Sequence, residues 1–311
     1  MDRETYLFKA FGFIIRSDYY FQELGYLINR DNQFPEDINI RIEDLSTVWN
    51  EEGEVGKFKV KKNHTLFQVK DTAVFCVKDG NTILVCPFNG TEEDKIKLYI
   101  LGTCMGILLI QREILPLHGS AISIEGKVYA LVGDSGAGKS TLASEFMKRG
   151  YKLLTDDIIP VLISNKGESI VVPSYPQQKL WIESLHQFGM DSSQYRPLFD
   201  RETKFAVPLK DQFFNKPLPL AGVFELVKTE QSEVELNQIT KLNKLQTLFT
   251  HTYRNQIISG SDKLEWHFKI TTKIANDIFL YQLRRPEFRF SAAELADLII
   301  TQIKEEDLLH A

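Results

Sequence analysis

Cysteine is scarce in this sequence: Cys76, Cys86 and Cys104 are the only three in 311 residues, an odd number at no metal-ligand spacing. That argues against a disulfide framework and a zinc site, and suits a reducing cytoplasm. Long apolar runs are missing too. The longest candidate, Leu98 to Ile110, falls well short of the ~20 residues a bilayer requires, so it reads as a buried core helix and not a membrane span. There is no basic excess, because 37 Lys and Arg face 42 Asp and Glu for a net charge of −5. Neither nucleic acid nor an anionic membrane is therefore an expected partner. Met1-Asp2-Arg3-Glu4-Thr5 lacks the basic-then-apolar profile of a secretion signal. No internal repeat and no low-complexity linker interrupts the chain.

What is present suffices for a sizeable core: 43% of residues are hydrophobic and 25% charged, enough for one large domain or two modest ones. The first ninety or so residues read as strands at Tyr6 to Ile15, Ile38 to Ile42, Phe58 to Val60, Thr65 to Val69, Ala73 to Val77 and Thr82 to Cys86. Asp79-Gly80 between the last two supplies the positive φ angles of a tight hairpin. From Glu92 the apolar spacing becomes helical through Ile96, Tyr99, Ile100, Thr103, Ile107 and Ile110. The expected organisation is a β-rich unit at 1–92 and an α/β unit at 93–311.

In the second unit, Ala121 to Ile124 and Val128 to Val132 form a hairpin-like pair around Glu125-Gly126. A helix from about Ser140 to Arg149 follows, closed by Gly150. Next come a strand around Asp156-Asp157 and a polar, turn-rich stretch beyond Pro173. Leu220 to Leu226 is a strand, Lys241 to Thr250 a helix, Ile278 to Leu283 a strand, and Ser291 to Ile303 the closing helix. The order strand, loop, helix, strand predicts a parallel sheet.

Between strand and helix lies Gly133-Asp134-Ser135-Gly136-Ala137-Gly138-Lys139-Ser140, followed by Thr141. Glycines at this spacing let successive backbone N–H groups turn onto an anionic phosphate at the positive end of a helix. In that setting Lys139 bridges the β- and γ-phosphates and the Ser140 hydroxyl ligates Mg²⁺. The loop reads phosphates and not the base, so GTP stays open beside ATP. Asp156-Asp157 is expected at the end of the next strand, on the loop's rim, or else as a solvated turn. One carboxylate there suits the metal and the other an incoming hydroxyl proton. His118-Gly119 precedes the hairpin, and read alone a histidine followed by glycine is most often a turn.

Together, His118-Gly119-Ser120, the phosphate loop, and Arg149-Gly150-Tyr151 leading to Asp156-Asp157 resemble the catalytic core of HPr kinase/phosphorylases. The resemblance is close from about Leu117 to Val161. It implies a P-loop kinase core of HPr-kinase type beside a smaller β-rich N-terminal domain. It also implies Asp156 as the base toward an acceptor serine, His118 as its orienting neighbour, and Asp157 with Ser140 at Mg²⁺. Lys139 acts on the transferred phosphate, and self-association into a homo-oligomer follows by analogy alone. The Glu-Ile-Arg-Gly-type signature of the bifunctional enzymes is replaced by Pro173-Ser174-Tyr175-Pro176-Gln177-Gln178-Lys179-Leu180-Trp181. That stretch is similar to the kinases of lasso-peptide biosynthesis, which implies the C-terminal serine of a precursor peptide as acceptor. Looser likeness involves Phe11-Gly12, Ser17, Pro217-Leu218-Pro219-Leu220 and Tyr281 to Pro286. Lys179, Arg201, Lys204, Arg284 and Arg285 are candidate phosphate or substrate contacts, or surface charges. Tyr175 and Trp181 either stack on a ligand or close a core edge. Rival functions are a kinase of HPr or of a small hydroxylated metabolite, and a non-catalytic nucleotide-gated binding module.

Overall fold

The protein is described here by a computed structural model covering residues 4–26, 35–198 and 201–309. Alternating apolar residues build an eight-stranded sheet from the N-terminal part. Its order is Gly25–Tyr26, Tyr6–Ala10, Phe13–Ser17, Ile38–Ile42, Thr82–Pro87, Ala73–Lys78, His64–Val69 and Lys59–Val60. The run expected as one strand from Tyr6 is a hairpin, because Phe11 and Gly12 take φ of 55° and 80° and reverse the chain. Asp79 and Gly80 turn with φ of 57° and 65°, as their sequence predicts.

The helical periodicity after Glu92 yields Glu93–Tyr99 and Met105–Gln111, joined by a π-helical turn over Ile100–Cys104. Met105 through Ile110 are all buried, and Ile100, Ile107 and Leu108 share one core with Phe75, Val77, Ile83 and Val85 of the sheet. Each such aliphatic side chain contributes about 1.5–3 kcal/mol by leaving water. Among the described residues no helix is long and apolar enough to cross a membrane.

The second sheet departs from the parallel expectation. The hairpin expected around Glu125-Gly126 is present, these residues taking φ of 50° and 78° and folding Leu115–Ile124 back along Lys127–Gly133 as an antiparallel pair. Lys152–Ile163 is antiparallel to Leu115–Ile124 on its other side. In this sheet, among the described residues, the parallel ladders join Leu218–Thr229 to Lys127–Gly133 on one side and to Phe279–Pro286 on the other. One face is covered by helices Lys139–Lys148 and Ala292–Leu309, through Leu142, Phe146, Leu295 and Ile299. The other is covered by Leu242–Thr250 and Leu264–Asp277, through Leu248, Ile270 and Ile274. The turn-rich stretch beyond Pro173 holds a small sheet of Gln177–Trp181, Arg201–Pro208 and Arg196–Leu198, with helix Ile182–Gln187 packed on it.

Candidate active site

The buried strand Lys127–Gly133 delivers the phosphate loop, and the helix behind it begins at Lys139. Gly133, Gly136 and Gly138 take φ of 144°, 81° and 105°, which turns the loop back on itself. Lys139 is 8% exposed, and its ammonium donates to the carbonyls of Gly133 at 2.8 Å and Asp134 at 2.9 Å. Burial lowers its pKa, against the pull of Asp156 and Asp157. Arg285 ties the loop from outside, Nε donating to Ala137 O at 2.6 Å and Nη2 to Gly136 O at 3.4 Å. Ala137 itself is turned into the core. The other loop residues from Gly133 through Thr141 line a cavity of about 770 Å³.

Asp156 and Asp157 border the same cavity, from the middle of Lys152–Ile163 and not from its end. Register explains this: Asp157 pairs with Gly119, which pairs with Val132, directly before the loop. Gly119 is required at that crossing, since a Cβ there would lie 2.1 Å from Leu131 O. Neighbouring residues of a strand normally point to opposite faces. Here Asp157 takes φ of 78°, a left-handed conformation that aspartate tolerates, and the alternation breaks.

The partners of the two acids are the reverse of those implied by the resemblance. Ser140 Oγ donates to Asp156 Oδ1 at 3.0 Å, not to Asp157. Asp156 also accepts from Ser120 Oγ at 2.5 Å and from Lys179 N at 2.8 Å, so three donors fix it. His118 stands beside Asp157, not Asp156: its Nδ1 donates to Asp157 O at 3.0 Å and lies 3.7 Å from Oδ1. That assigns the proton to Nδ1, because a carbonyl only accepts, and leaves Nε2 as the acceptor atom. The physical reason is the left-handed turn, which swings the second carboxylate past the loop helix toward the histidine.

Lys179 Nζ donates to Asp157 Oδ2 at 2.6 Å, with side chains 8% and 19% exposed. Burial raises the Asp157 carboxyl, but Lys179, His118 and Lys204 outweigh it and hold it well below the usual carboxylate range. Burial likewise lowers Lys179, yet Asp157 holds its ammonium above the ordinary lysine value. Burial pushes the His118 ring below its ordinary value, against the pull of the Asp157 carboxylate.

The remaining candidates divide. Lys204 and Trp181 line the cavity, the ammonium 5.4 Å from the ring centroid. Arg201 lies in a strand, but its side chain is outside the described residues. Arg284 does not border the cavity and stands 3.7 Å from Glu235. Tyr175 is buried against Phe11 and closes a core edge. Sequence reasoning gave no role to Ser120, His251, Tyr253 or Arg254. Ser120 carried a signal, since it belongs to the quoted His118-Gly119-Ser120 motif. His251, Tyr253 and Arg254 reach the cavity through the loop after Leu242–Thr250 and carried none.

Oxygen donors on a hydroxyl and a carboxylate suit a hard cation, and Ser140 with Asp156 forms such a pair. Among the described residues no group of three or more His, Cys, Asp or Glu makes a protein-only metal cage. Mg²⁺ is typically held by one or two carboxylates together with substrate phosphates, and the Asp156 carboxylate beside Ser140 is of that kind.

No protein-family model matches the chain. A segment of 132 residues is 39% identical to an HPr kinase/phosphorylase of Mycoplasmopsis pulmonis, covering 39% of this chain and 41% of that one. The chain is similar to HPr kinase/phosphorylases. HPr kinase/phosphorylases of Prosthecochloris aestuarii and Chloroherpeton thalassium are each 40% identical over 57 residues, 18% of this chain and 16% of theirs. The matched segments thus span less than half the length of these relatives. The solved Hpr(Ser) kinase/phosphatase of Coxiella burnetii aligns over 63% of this chain and 92% of its own, at TM-score 0.35 and 16% identity, too distant to argue from.

Proposed function

We propose that the protein is an ATP-dependent, Mg²⁺-requiring kinase that transfers the γ-phosphoryl group to a serine hydroxyl of a peptide or protein. What carries this reading is the meeting of Lys139, the Ser140–Asp156 pair and the His118–Asp157 pair in one cavity. In phosphoryl transfer the protein mainly positions groups and stabilises charge. The loop amides and Lys139 hold the phosphates. Ser140 and Asp156 are the residues that would hold Mg²⁺, whose bound charge screens the β- and γ-oxygens.

Asp157 takes the proton. Its Oδ1 is the carboxylate oxygen not engaged by Lys179, whereas Asp156 is occupied by three donors. The serine oxygen forms a bond to the γ-phosphorus, the bond from that phosphorus to the β–γ bridging oxygen breaks, and ADP leaves. The hydroxyl proton passes to Asp157. A carboxylate of low pKa suffices, because in a loose transition state the proton moves late.

Asp157→Asn should abolish transfer while ATP binding persists. Asp156→Asn should instead weaken the Mg²⁺ dependence of nucleotide binding. Normal turnover in Asp157→Asn would sink the assignment. The finer reading of the acceptor, the C-terminal serine of a lasso-peptide precursor, rests on the Tyr175 to Trp181 stretch. A transfer assay offering a serine-ended peptide, HPr and free serine separates it from the carrier-protein and metabolite readings. The two-part division at residue 92, the cytoplasmic setting and any homo-oligomer belong to the same proposal.

A further inference from the structure

The cavity has a second wall, facing the phosphate loop, built where the N-terminal part meets the segment 250–256. Leu98, Tyr99, Gly102 and Thr103 come from the helix with the π-helical turn, and Tyr253 and Arg254 from the opposite side. The two sides interlock: a Cβ on Gly106 would lie 2.5 Å from the Tyr253 ring, and one on Gly102 would lie 3.3 Å from the Tyr253 hydroxyl. The Tyr253 ring centroid is 5.6 Å from that of His118, so this wall adjoins the proton-accepting end of the site.

Arg254 is held there under constraint. It takes φ of 56° and ψ of 41°, and its guanidinium lies 5.7 Å from the Phe58 ring and 5.6 Å from the Tyr253 ring. Nη2 donates to Thr103 Oγ1 at 2.9 Å, while Nε is buried with no hydrogen-bond partner. Among the described residues no carboxylate pairs with it, although a guanidinium offers five N–H donors in a fork that matches a carboxylate. A left-handed non-glycine residue holding an under-satisfied cation at a cavity wall is a local conflict of the kind that clusters at ligand clamps. Its guanidinium lies on the side of the cavity where Phe58, Tyr253 and Thr103 stand.

Resting on the kinase reading above, we infer that Arg254 is a specificity-determining residue that binds a carboxylate of the acceptor close to its serine hydroxyl. The acceptor is then a serine at a free C-terminus or a serine beside an acidic side chain, and the carboxylate sets the hydroxyl against Asp157.

Equilibrium binding tests this, using the full chain loaded with Mg²⁺ and a non-hydrolysable ATP analogue. Three fluorescent peptides serve as probes: one ending in serine as the free acid, the same peptide as its amide, and an amidated peptide with aspartate after the serine. Wild type should bind the free acid or the aspartate peptide roughly tenfold to a hundredfold more tightly than the plain amide, the range for a charge-assisted pair. The peptide preferred tells the α-carboxylate from the side-chain source. Arg254→Leu should erase the preference, and Arg254→Lys, which keeps the charge but not the fork, should retain part of it and guards against misfolding of the leucine variant. Equal binding of all three peptides by wild type, no binding of any, or an equal loss for acid and amide in both variants would overturn the inference. If the preferred peptide binds but is never phosphorylated with ATP, the kinase reading fails and the carboxylate subsite stands.

Discussion

Asp157 illustrates how much a single residue is asked to do. It carries a left-handed backbone, a buried ion pair and the open carboxylate oxygen of the site. Lys179 is its necessary partner. Truncating one member of such a pair leaves an unpaired charge, so Lys179→Met should lower stability by about 3–5 kcal/mol, and adding Asp157→Asn should restore most of that. Urea unfolding of both variants checks it, and equal stability of the single and double variants would refute it. The pH window follows from the shift directions. Asp157 is depressed, so its contribution is present above the unfolded value of about 3.9 and is lost as pH falls through the folded one. Lys179 is raised, so its share is full below about 10.4 and is lost as pH climbs past its folded value.

Among the elements, helix Leu264–Asp277 carries a second titrating group. His267 is 2% exposed, makes a 2.8 Å contact with Thr252 Oγ1, and is lowered to about 4 by burial. Between about 6.5 and 4 the unfolded chain binds the extra proton, so stability should fall with pH across that window by on the order of 3 kcal/mol. His267→Gln should flatten the fall, as measured by urea midpoints at pH 7 and 4.5; an unchanged slope counts against it. This helix was not legible in the sequence. Leu264 and Phe268 stay 59% and 60% exposed, which blurs the apolar stripe of Ile270 and Ile274. The small sheet beyond Pro173 was hidden for the opposite reason, because Gln178 and Lys179 read as loop residues yet are buried. The phosphate loop, its helix and the hairpins at Asp79-Gly80 and Glu125-Gly126 were legible because their chemistry is local. The pairing of Ser140 with Asp156 was not, since it depends on one backbone angle that no periodicity encodes.

Across the whole molecule, the sheet of the first ninety residues does not stand apart. Its core takes in the helical segment after Glu92 and also Ile158, Tyr175, Ile257 and Ile258. Arg112 further donates to Gly80 O, and Phe11 N donates to Ser174 O. Heating should therefore give one calorimetric transition. A nucleotide analogue at about a hundred times its Kd should add roughly 2.7 kcal/mol to all of it. Two transitions, with only the later one moved by nucleotide, would show that the halves melt independently.

The clamp of Arg285 on Ala137 and Gly136 has a bearing on biosynthesis. The eight loop residues leave the ribosome long before the strand that braces them has been translated. The grip of Arg285 is thus a late addition to the nascent chain, and a stalled product ending before Phe279 would carry the motif without it.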